Sequence, residues 1–535
     1  MADLLFRTED IENNEILNLF VETDLDRSII NKLKATTPTI IVGSRGVGKS
    51  FLMKVAEQEL SSSFSVDRVL PVYITFTKSS LINTKDKNQF LHWMLAKICS
   101  KTLRQLKKKG LLSNISESIN ILSGGVYSEK NLKIEEVQQL YENSWREASS
   151  IDSSIIPDVD DFKDAIEEIC DDFHIKRIVL LMDEAAHVFR PEQQRQFFTM
   201  FRDLRSSKIT CNAAVYPGVT NYGNTFQFTQ DATFVRLNRD VLDNQYLKQM
   251  REIVEKQIQA DSSLLTSISR NGQNFAILAY AASGNPRFLL KTVSDAPKMT
   301  STQINDVLRN FYKTGLFAEH TNLSSKYNAQ IGFIDWGRTF IEDTVLPDIQ
   351  AKNYKYLQED KQTTCFFWIH KDSPQSVKEA LRLLEYTGII QEHANSMKAT
   401  RSEVGTRYLV NIGCLLALEA TPASNGFEIA KNVTPKRMAE YGMNSPYYKD
   451  LMDKIPRFAE IDLSESLNRV LEQSINELDL SSWLIEGLKT IGISTLKDLL
   501  NAKESDIQKI YYVGTKRSRF VKNQAISAVY EFLNG

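Results

Sequence analysis

The sequence predicts an α/β protein, a doubly wound parallel sheet built around a P-loop and followed by smaller, mostly helical modules. Three observations predict it. Residues 43–50 read Gly-Ser-Arg-Gly-Val-Gly-Lys-Ser, a complete G-x-x-x-x-G-K-S pattern between a short β-type run and a helical run. A second apolar run ends in the acid pair Asp183-Glu184. Further β-rich runs alternate with helical patterns, which is the signature of parallel βαβ units.

In chain order, Pro38 precedes Thr39-Ile40-Ile41-Val42, a short buried-strand pattern, and Phe51 to Glu57 continues as a helix after the loop. Glycines let the loop backbone curl so that its N–H groups face a phosphate, and the helix N-terminus adds positive dipole. Gly43, Ser44, Arg45, Gly46, Val47, Gly48, Lys49, Ser50 and Phe51 are therefore the expected binding residues. Lys49 reaches toward the β- and γ-phosphates of a nucleoside triphosphate, and the Ser50 hydroxyl is a magnesium ligand in such loops. Val69–Thr77 supplies the next strand. Residues 84–150 read as a helical insertion whose Lys101, Arg104, Lys107, Lys108 and Lys109 form a solvated helix face rather than a nucleic-acid contact.

Arg177 to Glu184 reads Arg-Ile-Val-Leu-Leu-Met-Asp-Glu, a fully buried strand with acids at its C-terminal edge, where ligands of open α/β sheets collect. Asp183 is the expected magnesium residue and Glu184 the group that polarises the attacking water. Asp164, Glu167 and Glu168 lie on a preceding helical run and read as a solvated face. The helical pattern Glu192–Ser206 and the strands Ile209–Tyr216 and Thr233–Asn238 complete the alternation.

Composition sets bounds on the rest. The 535 residues allow about two to four domains. With 65 basic against 67 acidic residues, any nucleic-acid contact must come from local patches. No run approaches a membrane span, the N-terminus has no signal-type apolar core, and the five cysteines are scattered singly. The expectation is a soluble cytoplasmic protein with no membrane partner.

Ser283-Gly284-Asn285-Pro286-Arg287 precedes an apolar helix; Asn285 is a good N-cap and Pro286 a good first helical residue. The Gly-Asn-Pro-Arg element, placed behind the acid-tipped strand, resembles the sensor-2 motif of AAA+ ATPases. The likeness is closest to origin-recognition-type initiators and to STAND signalling ATPases. That resemblance implies ATP as the nucleotide, a helical lid, and Arg287 touching the γ-phosphate from it. No guanine-reading Asn/Thr-Lys-x-Asp follows the acid strand. Two features depart from the pattern. Asn212, Thr220 and Asn221 compete for the sensor-1 position past the fourth strand. No arginine lies between Val215 and Val235, where a ring member presents an arginine finger, although Arg236 or Arg239 would serve if that strand ended earlier. Slow turnover or an unusual subunit contact is therefore expected.

Past the lid, Ser373-Pro374 starts a helix with apolar Val377, Ala380, Leu381, Leu383 and Leu384, and two strand-like runs follow, 388–392 and 398–410. This order resembles a winged helix, serving either DNA or protein; Lys378 and Arg382 are offset by Glu379 and Glu385. Toward the end, Trp483 to Leu500 and Ile507 to Arg517 resemble tandem helix-hairpin-helix units like those in the C-terminal domain of the RNA polymerase α subunit. The resemblance implies DNA phosphate contact by Gly514, Lys516, Arg517, Arg519 and Lys522. A protein-binding helical module is the alternative.

The expected organisation is an ATPase core over 1–240, a lid over 241–300, a winged-helix-like domain over 301–420, a connector with Pro435, Pro446 and Pro456 over 421–470, and a helix-hairpin-helix domain over 471–535. The expected function is ATP binding and hydrolysis with Mg2+, coupled to conformational change and DNA engagement. The competing expectation is a STAND-type switch that recruits a protein partner or a second copy of itself.

Overall fold

Each of the four residues of β1, Thr39–Val42, carries a β-branched side chain suited to a pleated, buried surface, and the first three are buried. The computed structural model describes the chain except residues 1–3, 78–87, 113–115, 129–131, 145–150, 185–190, 221, 224–225, 259–261, 326–329, 401, 450, 452–470, 479 and 534–535. It divides into two units, one of residues 3–238 with 251–257, the other of 239–250 with 258–535.

In the first unit, β1 joins β2 (Val69–Thr75), β3 (Arg177–Asp183), β4 (Ile209–Val215) and β5 (Thr233–Arg236) in one sheet of order β2-β3-β4-β1-β5. Every pairing is parallel. All seven residues of β3 and of β4 are buried, as strands covered on both faces must be. Alternate side chains feed two separate cores. Ile40, Ile178, Leu180, Met182, Cys211, Ala213 and Val215 enter one, while Ile41, Val179, Leu181 and Ala214 enter the other. The second core is closed by α1 (Asp24–Lys34) and α2 (Lys49–Asp67).

The first core is closed by α3 (Gln89–Lys108), α4 (Glu117–Ser123), α5 (Lys133–Asn143), α6 (Val159–Asp172) and α7 (Pro191–Asp203). The stretch read from sequence as an insertion is thus one layer of the fold. Phe90, Trp93, Met94, Ile98 and Leu103 of α3 are buried, and the Lys97 ammonium pairs with Glu142 at 3.3 Å, both buried. Its basic run is mixed: Lys107 and Lys108 are exposed, Arg104 pairs with Glu135 at 2.7 Å, and Lys109 Nζ donates to the Ser61 carbonyl at 2.9 Å. Asp164, Glu167 and Glu168 are exposed, as expected.

The second unit opens with α8 (Ser262–Arg270), α9 (Gly272–Ala281) and α10 (Pro286–Asp295). Further on, β6 (Phe366–His370), β7 (Ile390–Lys398), β8 (Val404–Val410) and β9 (Ala439–Tyr441) form a sheet of order β7-β8-β6-β9. The β7–β8 and β6–β8 pairs are antiparallel, and β9 joins β6 in parallel. Between β6 and β7 runs α11 (Gln375–Thr387), whose Val377, Ala380, Leu381, Leu383 and Leu384 are all buried. Gly388, at φ 80°, ends it. The stretch assigned to a connector contributes β9, whose Ala439 and Tyr441 are buried, and the helix Pro422–Lys431, which buries Ile429. Pro456 lies outside the described residues.

The last helices are α12 (Ser482–Thr490), α13 (Leu496–Asn501), α14 (Glu504–Ile507) and α15 (Thr515–Leu533). They share a core of Leu484, Leu488, Leu496, Leu499, Ile507, Ile510 and Val521. Gly487 lets α12 approach closely, since a Cβ there would stand 2.6 Å from Ile510 Cγ2. Gly487→Ala is therefore expected to lower the stability of these helices by about 1–3 kcal/mol, measured by thermal unfolding followed by circular dichroism.

Candidate nucleotide site

Strand β1 ends at Val42, and the chain turns sharply through Gly43–Gly48 before α2 begins at Lys49. Gly46 (φ 85°) and Gly48 (φ 106°) hold backbone conformations that other residues adopt only at a cost. Gly43 is required for a different reason: a Cβ there would lie 2.8 Å from Val47 Cγ2. The Lys49 side chain is buried. Its Nζ donates to the Gly43 carbonyl at 2.6 Å and the Ser44 carbonyl at 3.0 Å, and lies 4.1 Å above the Tyr216 ring. Tyr216 follows directly on β4, so a strand and the loop beside it position one ammonium group.

Asp183 is the last residue of β3 and is buried. Its carboxylate is fixed on both oxygens. Tyr73 Oη on neighbouring β2 donates to Oδ2 at 2.6 Å, and the Glu184 backbone N–H donates to Oδ1 at 2.9 Å. Burial, with the Asp183 carboxylate beside it, pushes the Tyr73 hydroxyl well above its ordinary pKa and keeps it a donor. Glu184 holds φ 55°, a left-handed conformation uncommon for such a residue. Its carboxyl is raised above the ordinary value by burial first, then by Asp183 and by Glu9 of the N-terminal segment; Arg45 and Lys49 oppose the shift. Loop cations and strand-tip acids therefore share one electrostatic site.

The parallel register explains this meeting. Val42 pairs with Val215 and Met182 with Ala213, so β1, β4 and β3 all end on the same edge. Ser50 and Phe51 open α2 there, and the Phe51 ring lies 6.4 Å from Phe20. Arg236 closes β5 on this edge, paired with Val42.

Of the three sensor-1 candidates, Asn212 sits away from the site. It pairs with Thr39 at the start of β1, accepts from the Thr39 N–H at 3.0 Å and donates to the Leu33 carbonyl at 3.0 Å, all buried. Thr220 Oγ donates to the Tyr216 carbonyl at 2.7 Å. Asn221 lies outside the described residues. Tyr216 and Tyr73 were missed by sequence reasoning; a tyrosine immediately after the fourth strand was the available signal for the first. In the other unit, Asn285 caps α10 as expected, its Oδ1 accepting from the N–H groups of Arg287 at 3.1 Å and Phe288 at 3.3 Å.

The C-terminal candidates separate into two groups. Gly514, Lys516 and Arg517 are exposed. Arg519 is buried; it pairs with Glu504 at 3.1 Å and donates to the Met443 carbonyl at 2.8 Å. Lys522 Nζ donates to the Leu500 carbonyl at 2.7 Å. Both side chains are thus engaged within the fold and are not carried forward as DNA contacts.

Tyr73→Phe removes only the hydroxyl that fixes Asp183. It is expected to lower stability by about 0.5–1.5 kcal/mol, measured by thermal unfolding followed by circular dichroism. Asn212→Ala is expected to cost about 1–3 kcal/mol of stability without changing nucleotide affinity, read by thermal melts beside a binding titration.

Residues 4–173 match the model of the ORC-CDC6-like family, and residues 463–523 match that for the C-terminal domain of the bacterial RNA polymerase alpha chain. The first match stops short of Asp183 and Glu184. No curated protein matches the sequence. Among solved structures, the protein is similar to a Walker-type ATPase of Pyrococcus abyssi (13% identity, 79% of this chain and 97% of that one, TM-score 0.39). It is also similar to the Aeropyrum pernix ORC1 protein in complex with DNA (12% identity, 78% and 93%, TM-score 0.34). A third is the Aeropyrum pernix ORC2 protein in its ADPNP-ADP complexes (11% identity, 76% and 91%, TM-score 0.30). Residues 4–173 are thus similar to the ORC-CDC6-like family and residues 463–523 to the C-terminal domain of the RNA polymerase alpha chain.

Proposed function

We propose that this protein is a magnesium-dependent ATPase of slow turnover, whose nucleotide state is coupled to conformational change and whose C-terminal modules engage DNA. The observation that carries the reading is that Glu184 lies within electrostatic reach of both Lys49 and Arg45, next to an Asp183 fixed by Tyr73. A polyphosphate tail fits between such cations and acids only if a divalent cation accompanies it. Ser50 and Asp183 offer the hard oxygen donors that magnesium takes. When bound, magnesium would neutralise charge on the phosphate oxygens as the γ-phosphoryl group leaves.

The protein's own residues supply the remaining steps. Lys49 exchanges two loop carbonyls for phosphate oxygens. Glu184 accepts a hydrogen bond from the attacking water and takes its proton, and its raised pKa suits it to that role. The AAA+ resemblance alone assigns Arg287, at the start of a capped helix, to the γ-phosphate. Adenine as the base is adopted from the AAA+ resemblance. The five cysteines are buried and free, and no described helix is long and apolar enough to cross a membrane, in keeping with a cytoplasmic role.

DNA engagement rests on Gly514, Lys516 and Arg517, three exposed residues of the last hairpin. The region of α11, β7 and β8 is read as a winged helix serving protein contact or spacing. Burial lowers the pKa of Lys378, and Arg382 is tied to Glu379 at 2.8 Å, which leaves a poor phosphate-binding face. The second reading, a STAND-type switch recruiting a protein partner or another copy, is favoured by the lack of arginine between Val215 and Val235.

Lys49→Ala is expected to abolish ATP binding in an equilibrium titration. Glu184→Gln should keep binding and lower phosphate release about a hundredfold or more; release at the wild-type rate would remove Glu184 as the base. Because Glu184 works ionised and its pKa is raised above 4.5, turnover should fall as pH drops through that higher value. A pH–rate profile whose acid limb stays at or below 4.5 would contradict this.

A further inference from the structure

The hairpin between α14 and α15 leaves two adjacent tyrosines out of the core that its neighbours Ile510 and Val513 enter. Tyr511 is 77% exposed and Tyr512 71%, with ring centroids 4.3 Å apart. Tyr512 holds φ 61°, a left-handed conformation that is a marked outlier for so bulky a side chain. Arg517 extends the surface. Its Nη1 donates to the Tyr512 carbonyl at 2.7 Å, and its guanidinium lies 5.8 Å from the ring of Trp483, itself 43% exposed. Phe520, three residues further on α15, is 47% exposed. The two tyrosine rings meet edge to face, 68° apart, and Arg517 links Tyr512 to the Trp483 ring on this exposed surface.

Charge selects the occupant. Residues 507–522 contain Lys509, Lys516, Arg517, Arg519 and Lys522 and no acidic residue. Arg519 and Lys522 are turned inward and Lys509 is paired with Asp506 at 2.7 Å, which leaves Lys516 and Arg517 beside the rings. A polyanion with flat apolar groups matches such a surface. In a paired duplex those groups are stacked on one another; in unpaired nucleic acid each base offers a face to an aromatic ring.

We propose that Trp483, Tyr511, Tyr512 and Arg517 form a stacking platform for unpaired bases, so that the C-terminal domain prefers single-stranded nucleic acid to intact duplex. This rests on the reading of the hairpin as a nucleic-acid contact and adds its structural preference.

The test is fluorescence anisotropy of the full-length protein with labelled oligothymidylate, oligouridylate and a DNA duplex of equal length, over a range of salt. Oligothymidylate should bind more tightly than the duplex. Replacing both tyrosines (Tyr511→Ala with Tyr512→Ala) should weaken single-strand binding about tenfold or more with little change in salt slope, whereas the paired Tyr→Phe variant should retain it. Lys516→Ala should instead reduce the salt slope by about one. Equal binding of oligouridylate supports recognition of base faces, and preference for oligothymidylate supports the same platform restricted to DNA. Duplex binding as tight as single-strand binding, unchanged in the double alanine variant, overturns the platform while leaving DNA engagement intact. Failure to bind any of the three, even at low salt, overturns both.

Discussion

Parallel pairing of β1 and β3 on either side of β4 is the constraint on which the candidate site depends. That register brings Val42, Val215 and Asp183 to one edge, so that the loop following β1 and the acids closing β3 face the same ligand. Sheet burial enforces it. A one-residue slip of β3 would exchange Val179 and Leu181 with Ile178, Leu180 and Met182, placing each set in the wrong core. Asn212, midway along β4, adds a polar lock at the start of β1, where its amide joins β4 to the first residue of β1 and to the carbonyl of Leu33. Apolar packing selects the face, and this buried amide pins the alignment.

Within that frame, side chains without catalytic chemistry arrange those that have it. Tyr73 holds one oxygen of Asp183, the strained Glu184 backbone holds the other, and Tyr216 gives Lys49 an aromatic floor. The Asp183 carboxylate is therefore oriented by protein contacts of its own. Such preorganisation removes reorganisation from the chemical step, which is where an electrostatic site gains most of its effect.

Much of this was legible in the sequence, because the loop and the acid-tipped strand are local patterns. Eight consecutive residues specify the loop, and one apolar run followed by two acids specifies the strand. The supporting tyrosines were not legible. Tyr73 is 110 residues from Asp183 in sequence, and only strand order makes them neighbours. Asn212 was a reasonable sensor candidate until the register placed it beside Thr39. The role of α3 was obscured by its lysines and Arg104, although Phe90, Trp93, Met94 and Ile98 already formed an apolar stripe. In α15 the inward stripe Ser518, Val521 and Ala525 was visible at helical spacing, and Arg519 and Lys522 flank it. Reading that stripe first would have assigned both cations to the interior.

Arg519 carries a consequence for how this region responds to mutation. Its guanidinium joins α15 to Glu504 at the start of α14 and to the backbone at Met443, beyond the helical hairpins themselves. Charge-removal scanning would score it beside Lys516 and Arg517 as one more basic position. Its loss, however, would unfasten a joint and strand a carboxylate in a half-buried pocket. Diminished binding after that substitution would report a loosened scaffold, and the salt slope, which a severed phosphate contact lowers, would stay unchanged.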